Sequence, residues 1–176
     1  MENPVLQTDR LTLRPLVISD LDDVFCWMGD ERVTRYLTEV TYKAAEDGRA
    51  WISSLDGNDS AKEFGFELKE TGGLIGSGGI CRHTEPGVWE MAFALRYDFW
   101  GHGLAFAGMA KIIGWARENL FVRVIEGTAA VSNIGSIRVM ERLGMVFHAD
   151  CEYCKQDMSA RFRAKTFRRI FADDVI

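Results

Sequence analysis

Three short segments of alternating hydrophobicity, joined by tight turns, constrain this chain more than anything else in it. Phe64, Phe66 and Leu68 alternate with Gly65, Glu67 and Lys69, the pattern of a strand with one buried face. Thr71-Gly72-Gly73 reads as a hairpin turn, and Leu74 to Ile80 as a glycine-rich return strand. Glu85-Pro86-Gly87 is a second turn, and Val88 to Leu95 is the next strand. Connections this short make the three strands antiparallel neighbours, because a parallel pair needs a crossover of about a dozen residues or more.

The period then changes. Phe106, Met109, Ile112 or Ile113, Ala116 and Leu120 follow three- and four-residue spacing, which predicts an amphipathic helix beginning near Gly103. Val122 to Ala130 reads as a strand. Ser132-Asn133 caps a further helix carrying Ile137, Met140 and Leu143, closed by Gly144 in the left-handed conformation. Met145 to His148 and Phe162 to Phe171 are the final strands. Ahead of the meander, Leu11 and Leu13 alternate with Thr12 and Arg14 in a first strand ended by Pro15. Ser19 with Asp22 marks a helix start, and Gly29-Asp30 its end. Thr41 opens a second helical stretch through Trp51, Ile52 and Leu55, stopped at Asp56-Gly57-Asn58-Asp59. There is no repeat and no low-complexity linker. The expectation is one domain over residues 1–176, with a mixed, mostly antiparallel sheet flanked by helices, of α+β class. A chain of 176 residues, 47% of them hydrophobic, suffices for one core.

A net charge of −5 without a basic stripe argues against nucleic acid as a partner. It is mildly compatible with a cationic substrate and equally ordinary for a solvated protein. The start, Met1-Glu2-Asn3-Pro4-Val5, has no basic segment followed by an apolar run, and no stretch is apolar for long enough to span a bilayer. A cytoplasmic protein without a membrane partner is expected. Of the four cysteines only Cys151 and Cys154 are close, and the three histidines do not complete a zinc spacing. No metal is expected, and the thiols read as reduced and structural.

The strongest local feature is Trp100-Gly101-His102-Gly103-Leu104-Ala105, between the strand ending at Leu95 and the next helix. A helix N-terminus has unpaired N–H groups and the positive end of the dipole. Glycines leading into it let the backbone approach an anion closely. No Walker lysine follows, and Phe106 with antiparallel preceding strands departs from a dinucleotide fingerprint. By itself the turn says only that an anion can sit there, or that the chain bends tightly.

Three blocks place it in context. Thr8-Asp9-Arg10-Leu11-Thr12-Leu13-Arg14-Pro15-Leu16 is the first. Glu90-Met91-Ala92-Phe93-Ala94-Leu95, then five residues, then Gly101-His102-Gly103-Leu104-Ala105 is the second. Asn133-Ile134-Gly135-Ser136-Ile137-Arg138-Val139-Met140-Glu141-Arg142-Leu143-Gly144-Met145 is the third. With Leu74-Ile75-Gly76 they resemble, in order and over most of the chain, the GCN5-related N-acetyltransferase (GNAT) superfamily, in particular its Rim-type branch of ribosomal-protein N-terminal acetyltransferases. Two positions depart from the superfamily pattern. Asp98 stands where a Gln or Arg is usual, and Met140 stands where many members carry a tyrosine acid.

The resemblance implies acetyl-CoA as co-substrate, with its pyrophosphate on Trp100, Gly101, His102, Gly103, Leu104 and Ala105. It implies that the pantetheine arm pairs with the backbone of Phe93, Ala94 and Leu95 and meets Asn133 and Ser136. Acyl transfer to an amine needs the amine deprotonated, the thioester oxygen stabilised and the thiolate protonated. Glu90 matches the glutamate that opens the family's fourth strand. Because it interrupts an apolar stretch, partial burial and a raised pKa are expected. Ser136 is the candidate thiolate acid, and Asn133 is also a fitting N-cap. Arg138 and Arg142, one turn apart, read as a solvated face or as partners of the cofactor's 3′-phosphate. The expected activity is direct acetyl transfer in a ternary complex to a protein N-terminal amine or a small amine. The alternative is an acyl-CoA-binding regulatory module without catalysis, to which the missing tyrosine points. A monomer or homodimer is expected, with the final strand as an exposed edge.

Overall fold

A computed structural model of the chain describes residues 3–171. Its strands are β1 (Leu6–Gln7), β2 (Leu11–Arg14), β3 (Ala61–Leu68), β4 (Leu74–Arg82), β5 (Val88–Leu95), β6 (Val124–Ala130), β7 (Val146–Cys154) and β8 (Arg161–Ile170). Its α-helices are α1 (Leu21–Met28), α2 (Glu31–Thr34), α3 (Arg49–Leu55), α4 (Leu104–Asn119) and α5 (Ile134–Arg142). The strands form one sheet in the order β1-β2-β3-β4-β5-β6-β8-β7. Every neighbouring pair is antiparallel except β5 with β6. The α+β class and the antiparallel β3-β4-β5 meander follow the pattern expected from the sequence.

Alternation along β5 divides its side chains between two faces. Trp89, Met91 and Leu95 enter a core with Ile80, Ile125, Met109, Ile112, Met140 and Phe167, closed by α4 and α5. Glu90, Ala92 and Ala94 point the other way. On that face α1 and α3 cover β3 and β4 through a second cluster that includes Leu16, Val24, Trp27, Ile52 and Leu74. Further across, the wall is the segment 34–39, tied to the β7–β8 hairpin. The ammonium of Lys155 donates to the carbonyls of Thr34 (2.8 Å), Leu37 (3.1 Å) and Glu39 (3.0 Å). The hydroxyl of Tyr153 donates to the Tyr36 carbonyl at 2.7 Å, and the Gln156 N–H donates to that of Thr38 at 2.8 Å.

The element ends differ from the sequence expectations where side chains intervene. Ser19 is not the helix cap: a 3₁₀ turn over Ile18–Asp20 precedes α1. The buried Asp20 carboxylate accepts from the Val17 N–H (2.8 Å) and from both terminal nitrogens of Arg14 (2.8 and 3.0 Å), which draws this segment onto β2. The stretch from Thr41 becomes α-helical only at Arg49, because the Asp47 carboxylate caps the Lys43 and Ala44 N–H groups and holds a 3₁₀ turn there. β6 starts at Val124, since the N–H groups of Arg123 and Val124 both go to the Gly87 carbonyl. β7 runs on to Cys154 because β8 pairs with it along its length. That pairing also corrects the edge expected at the final strand: β8 lies between β6 and β7, and β7 is the edge. Cys151 and Cys154, three apart on β7, point to opposite faces, and both are free thiols.

Candidate active site

β5 and β6 run parallel but pair at only three positions, Val88↔Val124, Trp89↔Ile125 and Glu90↔Glu126. Beyond Glu90, β5 continues to Leu95 and β6 to Ala130 with no pairing to each other, so a gap opens between them. On its other side β5 stays paired with β4 as far as Leu95. The Arg96 N–H donates to the Ile75 carbonyl at 2.8 Å. Alternation in an antiparallel ladder then turns Ala94 to β4 as well, and turns the peptide groups of Phe93 and Leu95 into the gap. Of the three residues expected to supply N–H groups, Phe93 and Leu95 offer one to a ligand lying in the gap. Ala94 does not, because its N–H belongs to the β4 ladder.

Parallel strands deliver the chain to the same end of the gap, and both following helices begin there. Gly101 and Gly103 have φ +77° and +73°, the left-handed region that costs a residue with a Cβ roughly 1–2 kcal/mol. A Cβ on Gly101 would meet nothing within 4 Å, so conformation rather than space requires glycine there. The first N–H groups of α4 consequently face outward without helical partners. Leu104 is buried and anchors the helix, and Ala105 is half-buried behind it. The Trp100 indole N–H donates to the Leu95 carbonyl at 2.8 Å while its ring packs on Tyr97. Trp100 therefore braces the turn and keeps only its ring surface for a ligand. The exposed His102 accepts a 2.6 Å hydrogen bond at its carbonyl from Arg10. Across the gap, Asn133 caps α5 by accepting from the Ser136 N–H at 3.3 Å, which places the Ser136 side chain in the first turn.

A cleft of about 440 Å³ opens beside the glycine turn, lined among others by Arg10, His102, Gly103, Phe106, Lys111 and Arg142. Arg142 lies with its guanidinium 3.9 Å over the Phe106 ring, and its terminal nitrogen is 3.5 Å from where a Cβ of Gly103 would be. Arg142 is solvent-exposed and at the same time lies beside the glycine turn. Arg10 from the β1–β2 turn and Lys111 from α4 complete a set of cations that helical spacing alone did not reveal. Their charge suits a polyanion held on backbone N–H groups. Asp98 is exposed beside Arg96 at 3.8 Å. Met140 is buried at 2% exposure in the core, its sulfur close to Gly127, so α5 presents no tyrosine acid there.

On the opposite face, one row of the sheet sets Cys81, Glu90, Glu126 and Arg168 side by side. Glu126 is held by Arg168, which also reaches Glu85 at 3.3 Å. The Glu90 carboxylate has no hydrogen bond or ion pair among the described residues. Burial, then the neighbouring Glu126, pushes its pKa up, with His83 pulling it partly back. This is the partial burial and raised pKa expected from the apolar stretch around it. A carboxylate that sequence reading passed over lies on the same face. Glu63 stands beside Gly79 and Ala92 in the next row but one from the end of β3. The alternation in the sequence marks this strand from Phe64; carried back to Ala61, where β3 begins, it puts Glu63 on this face. Among the described residues no group of three or more His, Cys, Asp or Glu is placed to hold a metal ion, and no helix is long and apolar enough to cross a membrane.

The sequence pattern of the acetyltransferase (GNAT) domain family matches residues 10–146. The chain is 30% identical over 142 residues to an uncharacterized N-acetyltransferase, p20, of Bacillus licheniformis, covering 78% of this chain and 80% of that one. Its fold is shared with an acetyltransferase of the GNAT family from Bacillus anthracis, with TM-score 0.82 at 19% identity over 95% of this chain and 98% of the other. It is also shared with spermidine N-acetyltransferase from Vibrio cholerae, solved with CoA and spermine, with TM-score 0.79 at 18% identity over 93% and 96% of the two chains. The parted parallel strands, the left-handed glycine turn and a family match over most of the length agree, and the chain belongs to the GNAT acetyltransferase family.

Proposed function

We propose that this protein transfers the acetyl group of acetyl-CoA to a primary amine by direct attack in a ternary complex. The observation that carries the reading is the gap between β5 and β6. It has an anion cradle at one end, outward-facing peptide groups of Phe93 and Leu95 along its side, and an unpaired carboxylate, Glu90, on the opposite face. The backbone N–H groups from Gly101 to Ala105, with Arg10, Lys111 and Arg142 beside them, would hold the phosphates of the co-substrate. A β5 N–H would receive the thioester oxygen as it gains charge, an interaction whose loss costs about 10²–10³ in rate elsewhere. Glu90 binds the acceptor amine and removes its proton, directly or through water, and its raised pKa makes it a stronger base than an ordinary carboxylate. The Ser136 hydroxyl, at the start of α5, protonates the leaving thiolate, and Asn133 steadies the pantetheine arm.

The acceptor is a protein N-terminal amine, as in the Rim-type branch the sequence blocks resemble, or a small amine. A screen reading release of the CoA thiol tests this. It should include tripeptides with N-terminal Ser, Ala and Met, free lysine and spermidine. Amine-dependent thiol release is the expected result. Tight acetyl-CoA binding with no release for any amine would replace this reading with the non-catalytic acyl-CoA-binding module, for which the buried Met140 in the tyrosine position speaks.

A further inference from the structure

The face opposite α4 and α5 holds more carboxylate than one base requires. The amine must reach the gap from this side, because the other is filled by the core beneath α4 and α5. Glu63, Gly79 and Ala92 lie side by side on β3, β4 and β5. Ala92 falls within the stretch of β5 that has parted from β6, two residues past Glu90. Gly79 has no side chain to separate the two, and the Glu63 carboxylate occupies that space: a Cβ on Gly79 would stand 2.3 Å from Glu63 Oε2. Glu63 therefore leans across β4 toward the parted stretch of β5.

Its surroundings are specific. Ser77 of β4, 4% exposed, is the hydrogen-bond partner of the carboxyl, and Glu39 of the 34–39 segment faces it. Cys81 lies between Glu63 and Glu90, and its thiol is pushed up first by burial, then by those two carboxylates. No cation faces Glu63 among these neighbours. Burial, with Glu39 adding to it and the Ser77 hydrogen bond opposing it, raises the Glu63 pKa to about 7.

We propose that Glu63 is a second catalytic carboxylate of the acceptor site, to which the proton of the attacking ammonium is delivered while Glu90 holds that ammonium. This rests on the N-acetyltransferase reading above and divides between two residues the work given there to Glu90 alone. One ammonium N–H bond breaks, leaving its electron pair on nitrogen and its proton on the Glu63 carboxylate. That pair forms the bond to the thioester carbon. The C–S bond breaks with its pair leaving on sulfur, and a second proton from nitrogen reaches the thiolate through Ser136 or water. The products are an amide and a free thiol, and Glu63 returns its proton to solvent.

The test compares wild type, Glu63→Gln and Glu90→Gln from pH 6 to 9.5, with acetyl-CoA and the tripeptides or spermidine as acceptors. At pH 7 turnover by Glu63→Gln should fall by about 10², the scale of a lost general base. The deficit should narrow at high pH, where solvent supplies free amine, while the thermal shift produced by CoA stays as in wild type. A loss that is the same at every pH overturns the proposal in favour of a structural role. Wild-type turnover in Glu63→Gln together with an inactive Glu90→Gln overturns it as well, and leaves the N-acetyltransferase reading standing. Wild type inert toward every amine sinks that reading, and this one with it. Should Glu63→Gln fail to fold, Glu63→Asp replaces it, expected to keep part of the turnover and the pH profile. Carbon-13 NMR of glutamate-labelled protein adds a readout independent of turnover. The carboxyl resonance missing in the variant should titrate near neutrality in wild type, and titration in the ordinary carboxylate range overturns the proposal.

Discussion

The two sides of the β5–β6 gap are built differently. Toward α4 and α5 the surface is backbone: left-handed Gly101 and Gly103, the unpaired first turn of α4, peptide groups of Phe93 and Leu95, and the Asn133 cap of α5. On the other face it is side chains, from Tyr36 to Glu39, Glu63, Glu90, Glu126, Tyr153 and Arg168, brought together from segments far apart in sequence. A backbone cradle serves any ligand with the same phosphate arm, so it belongs with the shared co-substrate. A wall of side chains changes one residue at a time, and on the proposed function that is the side that would set acceptor choice.

If that division holds, substitutions on the two faces separate in kinetics. The largest effect is expected from Glu90→Gln, a loss of about 10²–10³ in kcat at neutral pH with acetyl-CoA affinity unchanged. If Glu90 works as the carboxylate proposed above, its raised pKa makes the wild-type rate climb with pH through a midpoint above the usual glutamate range. A flat wild-type profile would mean that neither Glu90 nor Glu63 changes protonation in the working range. Gly103→Val should act only on the other face. Forcing a β-branched residue to φ +73° costs roughly 1–2 kcal/mol, so the acetyl-CoA KM should rise on the order of tenfold while the acceptor KM stays put. Arg142→Ala should raise the acetyl-CoA KM about fivefold, and less in high salt, since charge contacts to phosphate are screened. Lys155→Met releases three carbonyls of the 34–39 segment. It should raise the acceptor KM about threefold through loss of a loop anchored by charge-assisted hydrogen bonds, and leave acetyl-CoA alone. An equal rise in both constants would break the comparison.

The same contrast appears in stability. Glu63 moves from an ordinary 4.5 to about 7 on folding, so between these values the folded state holds a proton the unfolded chain has lost. Stability therefore falls as pH rises through that window. Glu63→Gln should flatten this fall and raise Tm by a few degrees at pH 8 but not at pH 4.5, as differential scanning calorimetry would show.

How far each side was legible follows from the same difference. Gly101-x-Gly103 and Asn133 announce their conformations within two or three residues, because a positive φ and an N-cap are local requirements. Glu90 announced its burial by interrupting an apolar strand. Glu63 sat one residue before the recognised start of its strand and resembled any polar strand residue. The nearness of the exposed Arg142 to the turn is not legible, because helical spacing does not show that the end of α5 lies against the start of α4. Ala94 looked equivalent to Phe93 and Leu95 until the ladder with β4 set which peptide groups remained free.

From the sequence alone came the α+β class, the antiparallel meander, the glycine turn at a helix start and the family resemblance. Each depends on period, turn chemistry or local backbone preference, and those act over a few residues. The tertiary structure alone decided that β5 and β6 part after Glu90, that β8 rather than β7 is interior, and that three cations gather at the turn. It also decided that Glu63 shares a face with Glu90. These depend on strand order and register, where side-chain contacts across tens of residues outweigh what any short segment prefers.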